Sequence, residues 1–369
     1  MWKRLAAAAG LTLALAACGD TKPAPEQKPA PVAPPPAPAA SPQPLLKAPP
    51  SSTLAEVRKR GWLSCGVNPG LPGFALRDDR GTWRGFDVDI CRAVAAATLG
   101  DAAAVRYTPV DAGERFGALQ GGKVDILSRN TSWTFSRDTS LAFDFPAITY
   151  YDGQGFLAPR ALALSSAAEL NGARICVQDG TVAADNIAEY FQARGLKYRP
   201  VVVASEAEAR RVYQDDGCDA FTADVSALAS ARSVMNNPGA HVILPDVISK
   251  EPLGPVVRQG DPTWTDIVRW TVNGLVLAEE LKLKAETVEA AAKTATDRQT
   301  RRLLGVEGDF GPMLGLRPDW ALQAIRQVGA YDEVFERNLG ERTPLKLARG
   351  HNALWNAVPA GQLYAPPMR

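Results

Sequence analysis

The side chains able to do chemistry in this chain are guanidiniums, carboxylates and thiols. Its two histidines, His241 and His351, stand in no motif, and no Ser-His-Asp grouping is visible. A zinc site is not expected, because there is neither a Cys-x-x-Cys nor a paired-histidine spacing. Among the guanidiniums, Arg137 stands just beyond a strand-like run, with Arg129 upstream of it. Asp224 precedes Val225-Ser226-Ala227-Leu228, and the turn Asp179-Gly180-Thr181-Val182 opens a helical stretch. A guanidinium offers a planar, permanently charged fork that can hold a carboxylate through two hydrogen bonds. A carboxylate at a strand end is a natural counter-ion for an ammonium. The open N–H groups and positive dipole end of a helix also suit a carboxylate. Each residue has a plainer reading beside this one. Arg137 can make a surface ion pair, while Asp224 and Thr181 can cap the helices that follow them.

The elements that position these residues alternate. Trp62–Val67 reads as a buried strand ending at Asn68-Pro69-Gly70. Phe86 to Leu99 places Phe86, Ile90, Val94 and Ala97 at helical spacing. Strand Val105–Val110, helix Gly113–Gln120 and strand Lys123–Leu127 follow. After an interruption at Tyr150 to Gly155 come strand Ala173–Gln178, helix Val182–Arg194, strand Tyr198–Ala204 and helix Glu206–Asp215. Strand Asp219–Thr222, helix Val225–Met235 and strand His241–Leu244 complete this second unit. The stretch from Ile248 to Pro255 leads away from it, and the rest is mostly helical. Such alternation predicts βαβ units with parallel sheets. Two α/β lobes joined by two crossing strands are the economical assembly: 53–152 plus 251–369 as one lobe, 153–250 as the other. Thr53-Leu54-Ala55-Glu56 has the form of a capping box, with Thr53 as N-cap of the first helix and Glu56 at N3.

Bulk composition narrows the class. The 369 residues are 46% hydrophobic and 22% charged, with a formal net charge of +1. Near-neutrality excludes the basic excess of a nucleic-acid-binding protein. No internal apolar run approaches the roughly 20 residues that span a bilayer. The N-terminus reads as an export signal: Trp2-Lys3-Arg4 is a positive n-region, and Leu5 to Ala17 is a short apolar stretch. It ends in Leu15-Ala16-Ala17-Cys18, which resembles a bacterial lipobox with Cys18 as the lipidated mature N-terminus, so that 1–18 are signal peptide. An ordinary secretory cleavage site is the alternative. Residues 19–52 are rich in Pro and Ala and read as an extended linker. Cys65, Cys91, Cys176 and Cys218 are an even set in an exported chain. Of the three possible pairings, Cys65–Cys91 with Cys176–Cys218 keeps each bridge inside one lobe.

Several stretches resemble a known family. Gly85-Phe86-Asp87-Val88-Asp89-Ile90, Lys123-Val124-Asp125-Ile126-Leu127 and Phe143-Asp144-Phe145 resemble landmarks of periplasmic polar amino-acid-binding proteins. Ser128 to Thr134, Thr149 to Phe156, Ile248 to Gly260 and Ala348 to Asn356 resemble the general L-amino-acid-binding subfamily of ABC-transporter solute-binding proteins. The likeness runs from about Trp62 to Arg369. It implies the type II periplasmic-binding-protein fold, a venus flytrap with the ligand at the hinge cleft. It further implies that Arg137, in Ser132-x-Thr134-x-x-Arg137, grips the ligand α-carboxylate. Ser132 and Thr134 would supply hydroxyl or N–H contacts. In the second lobe the family's Gly-Thr-Thr turn becomes Gly180-Thr181-Val182, so Val182 offers only its backbone N–H. Asp224 would pair the ammonium and Phe74 would pack against the ligand side chain. Arg129 would reach an acidic side chain or brace its loop, and Asp87 and Asp89 would be structural.

The expected function is capture of free L-amino acids, with broad specificity centred on acidic and amide side chains, and delivery to an ABC-transporter permease. The expected protein is a monomeric periplasmic lipoprotein that needs no cofactor and no metal. The rival reading is an enzyme on the same scaffold, a dehydratase acting on prephenate or arogenate. An Arg and Asp pair suited to a zwitterion favours the receptor over that enzyme.

Overall fold

The computed structural model of the protein describes residues 49–369; the expected signal segment 1–18 with Cys18, and nearly all of the expected linker 19–52, lie outside the described residues. The first lobe opens with α1 (Ser52–Arg60), β1 (Leu63–Val67), the hairpin β2 (Leu76–Arg77) and β3 (Trp83–Arg84), and α2 (Phe86–Leu99). It continues through β4 (Val105–Pro109), α3 (Arg115–Gln120), β5 (Ile126–Ser132), α4 (Phe135–Thr139), β6 (Phe143–Asp144) and β7 (Tyr150–Asp152). The second lobe carries β8 (Gln154–Pro159), β9 (Arg174–Gln178), α5 (Ala183–Ala193), β10 (Arg199–Val203), α6 (Glu206–Gln214), β11 (Ala220–Asp224), α7 (Val225–Ser233) and β12 (His241–Ile243). The chain then returns by β13 (Glu251–Arg258) to the first lobe. Helices α8 (Pro262–Glu280), α9 (Val288–Thr294), α10 (Arg298–Leu303), α11 (Phe310–Met313), α12 (Trp320–Val328) and α13 (Tyr331–Asn338) complete it.

Each lobe is built on one sheet. The first has the order β4-β1-β5-β13-β6, with β7 also paired to β13, and the second has the order β10-β9-β11-β8-β12. The alternation predicted parallel sheets, yet both sheets are mixed. The strands on either side of β1 run parallel to it, as do those beside β9. The strands that carry the chain between lobes do not: β8 opposes β11, and β13 opposes β5, β6 and β7. These crossing strands enter from the opposite end of each sheet, so they need no helical crossover and leave no βαβ signal.

Local differences have similar causes. Helix α1 starts two residues earlier than Thr53-Leu54-Ala55-Glu56 suggested: its N-cap is Ser51, whose hydroxyl accepts the Leu54 N–H at 3.0 Å. The Thr53 N–H is instead held by the Asp261 carboxylate at 2.9 Å. Strand β5 extends to Ser132 rather than stopping at Leu127. Its polar second half is buried without an apolar alternation, a local pattern that fails where a site is built.

The two lobes have separate apolar cores. Trp264, Trp320, Tyr331, Phe74 and Phe86 are among the largest fully buried side chains of the first, and Phe156, Phe191 and Phe221 of the second. The disulfides are Cys65–Cys91 and Cys176–Cys218, one in each lobe. Loops of 26 and 42 residues correspond to about 3 to 4 kcal/mol per bridge in the chain-entropy account. The C-terminal region braces the crossover. Asn352 holds the backbone N–H and C=O of Tyr151 at 2.7 and 3.0 Å, and the Tyr331 hydroxyl donates to the Thr149 carbonyl at 2.6 Å.

Close approach at the crossover explains Gly254. A Cβ there would lie 2.1 Å from the Ala147 carbonyl oxygen, so any side chain would force β13 away from the segment leading into β7.

Candidate ligand cleft

The cleft is lined from both lobes. Arg115, Arg129, Asn130, Ser132 and Arg137 contribute from the first, and Thr181, Val182, Glu206, Thr222 and Asp224 from the second. The lobes touch around it: the Arg115 Nη1 donates to the Gly180 carbonyl at 3.3 Å, and the Ser230 hydroxyl to the Pro72 carbonyl at 2.7 Å.

On the first lobe, α4 follows directly on β5, so the last residues of the strand and the first of the helix share the cleft wall. Thr134 caps α4, its hydroxyl accepting the Arg137 N–H at 3.4 Å. The cap places Arg137 in the first turn. There its side chain is 8% exposed and its Nη1 donates to the Ser132 carbonyl at 2.8 Å. The face of Phe116 lies 5.4 Å from the guanidinium carbon. Burial lowers the pKa of this arginine, and the carboxylates of Glu251 and Asp224 oppose that shift. A buried guanidinium with part of its fork unused is poised for an anion.

On the second lobe, Asp224 ends β11 immediately ahead of α7 and makes no side-chain cap bond. The cap comes from the crossover instead: Asp152 of β7 accepts the Ser226 N–H at 3.2 Å. Asp224 is thereby released to face the cleft. Burial pushes its carboxyl well above the usual carboxylate range, Asp152, Glu251 and Glu206 add repulsion, and Arg137 partly offsets it. Asp152 itself is pushed up to about 6, mainly by burial. An ammonium placed at Asp224 would relieve this concentration of negative charge.

The remaining expectations divide. Arg137, Asp224, Ser132, Thr181, Val182 and Arg129 all border the same cleft. The Thr181 hydroxyl is engaged within its own turn, donating to the Gln178 carbonyl at 2.8 Å and accepting the Ala183 N–H at 3.3 Å. Arg129 is braced by its Nε–H to the Val110 carbonyl at 2.9 Å. Two of the expected residues are not brought to the cleft wall. Phe74 is 1% exposed and packs edge-on against Phe86 and Tyr150, so its ring belongs to the first-lobe core. Thr134 spends its hydroxyl on the helix cap. Asp87 accepts the Asn130 N–H at 2.9 Å and Asp89 holds Arg337 at 2.7 Å, both structural contacts. Two charged wall residues carried no sequence signal, Arg115 and Glu206, because each sits at the start of an ordinary amphipathic helix. Among the described residues, no cluster of His, Cys, Asp and Glu has metal-binding geometry, and no helix is long and apolar enough to cross a membrane.

A charged crevice enclosed by two α/β lobes on one chain defines a receptor architecture for a small, charged solute. Residues 63–296 match the bacterial extracellular solute-binding proteins, family 3, and the chain belongs to that family. It is 51% identical to the General L-amino acid-binding periplasmic protein AapJ of Rhizobium johnstonii, over 86% of this chain and 93% of that protein. It is also 51% identical to the Glutamate/glutamine/aspartate/asparagine-binding protein BztA of Rhodobacter capsulatus, over 86% of this chain and 94% of that one. Among solved structures, a periplasmic binding protein from Brucella ovis with glutathione bound superposes with a TM-score of 0.84 at 51% identity. The match covers 86% of this chain and 99% of that one.

Proposed function

We propose that the protein is a periplasmic receptor for free L-amino acids that delivers them to an ABC-transporter permease. The observation that carries this reading is the placement of Arg137 and Asp224 on opposite lobes of one cleft. Every L-amino acid at neutral pH presents a carboxylate and an ammonium a few ångströms apart, and burying either unpaired is costly. Arg137 takes the carboxylate, with Ser132 beside it, and Asp224 takes the ammonium. Only the closed arrangement completes both pairs, so the ligand favours closure by its differential affinity for that state. Residues 53–152 with 251–369 then move against 153–250 as two lobes.

The relatives support the ligand class. AapJ is named for general L-amino acids and BztA for acidic amino acids and their amides. The glutathione in the Brucella ovis structure carries at its γ-glutamyl end the same α-ammonium and α-carboxylate. An enzyme reading has no comparable support, because these relatives are named as binding proteins. A thermal-shift screen of the twenty L-amino acids and their D enantiomers tests the proposal. A ligand at 100 times its Kd adds about 2.7 kcal/mol to stability, so several L-amino acids should raise Tm and their mirror images should not. Absence of any shift across the set would remove the reading.

We also propose that Cys18 is lipidated and that 19–52 spans from the membrane to a monomeric receptor. The support is the position of Cys18 at the end of the apolar stretch, and acyl chains bind a bilayer by about 0.8 kcal/mol per buried CH₂. Cys18→Ser should move the protein from the membrane to the soluble periplasmic fraction. Retention of the variant with membranes would contradict the anchor.

A further inference from the structure

Among the described residues, two buried side-chain polar atoms have no hydrogen-bond partner: the Nε of Arg115 and the Oε2 of Glu206. Both residues line the cleft, and they come from different lobes. Arg115 is 2% exposed, at the first residue of α3, with its Nη1 committed to the Ala112 and Gly180 carbonyls. Glu206 is the first residue of α6. Leaving a buried donor or acceptor unpaired is costly, so two of them on residues lining one cleft point to a ligand group that satisfies both. Burial raises the Glu206 carboxyl, while Arg129, Arg115 and the amides of Asn130 and Asn68 act against that shift; its Oε2 alone is left without a donor. On the other side, burial and the like charges of Arg129 and Arg137 lower the pKa of Arg115, against the pull of Glu206 and Asp224.

We propose that Arg115 and Glu206 form a side-chain subsite selecting ligands that end in a carboxamide. The Arg115 N–H donates to the amide oxygen, and Glu206 accepts from the amide N–H. A carboxylate in the same place satisfies Arg115 but sets one anion against another at Glu206, so glutamine and asparagine bind ahead of glutamate and aspartate. This inference rests on the amino-acid-receptor reading, with Arg137 and Asp224 holding the ligand's α groups.

The test is calorimetric titration, at one fixed pH, of the unaltered protein, Glu206→Gln and Arg115→Gln with L-glutamine, L-glutamate and L-alanine. Alanine has no polar side chain and reports the α-group clamp alone. The unaltered protein should prefer glutamine to glutamate. Glu206→Gln keeps the shape and adds a donor, so it should swing that preference toward glutamate by about tenfold or more, from one hydrogen bond to a charged group. Arg115→Gln should weaken glutamine and glutamate together. Alanine calibrates each variant, because any effect on the lobe contact or on Asp224 changes alanine too; the subsite is read from the glutamine and glutamate affinities relative to alanine. An unchanged glutamine-to-glutamate ratio in Glu206→Gln would overturn the subsite while leaving the receptor intact. Equal losses for all three ligands would overturn it in favour of a latch between lobes. Failure of the unaltered protein to bind any of the three would take down the receptor reading and the subsite together.

Discussion

Arg137→Ala is expected to remove amino-acid binding while leaving a folded, disulfide-bonded protein. Truncating one member of a buried, hydrogen-bonded charge pair costs about 4 kcal/mol, roughly a thousandfold in Kd. The fold should tolerate the change. The side chain makes one hydrogen bond to the Ser132 carbonyl and lies over the face of Phe116. Phe116 keeps its stacking on Phe143 without the arginine, and the α4 cap from Thr134 uses the Arg137 backbone rather than its side chain. Arg137→Lys separates charge from geometry, since a lysine keeps the charge but loses the planar fork. It should recover only part of the affinity. Titration calorimetry checks both variants, with circular dichroism as the control for folding. Unchanged affinity in Arg137→Ala would show that the carboxylate is held elsewhere.

Asp224→Asn should act in opposite directions on stability and binding. In the unliganded protein Asp224 is half-buried beside Asp152, Glu251 and Glu206, and desolvation with their repulsion holds its carboxyl well above the usual range. A folded-state pKa above the unfolded one means that the native state binds the extra proton. Stability is therefore lost as pH rises from the unfolded value through the raised one. The isosteric amide removes that penalty, so the variant's Tm without ligand should exceed that of the unaltered protein near neutral pH. Binding should weaken by about 3 kcal/mol, above a hundredfold, because the ammonium loses its counter-ion. The same linkage sets the pH dependence. The ligand ammonium favours the ionised carboxylate, so binding releases a proton where free Asp224 still holds one, and affinity rises with pH until that group is ionised. Calorimetry in two buffers of different ionisation enthalpy should report this release, and Asp224→Asn should lose it. A variant with lower Tm and normal affinity would assign Asp224 a purely structural role.

Much of this architecture is legible in the residues. Helix α2 runs from Phe86 to Leu99, where its apolar spacing places it. The crossing strands were harder to read. Strand β8 lies in a stretch whose Tyr, Asp and Gly suggested only an interruption, because its hydrogen bonds are made to strands far away in sequence. At the cleft, Arg137 and Asp224 stood out through motif and strand-end position. Phe74 did not behave as the motif suggested, since a phenylalanine fitting an aromatic core is indistinguishable in sequence from one facing a ligand. Arg115 and Glu206 were invisible for the converse reason. A charged residue opening a helix is ordinary, and only the folded chain shows that their polar atoms lack partners.

The most direct measurement is a crystal structure with L-glutamine bound. The account predicts the α-carboxylate within hydrogen-bond reach of the Arg137 guanidinium and the α-ammonium against Asp224, with both lobes closed on the ligand. A glutamine seated in another crevice, or in this one with neither pole paired to those two residues, would contradict it.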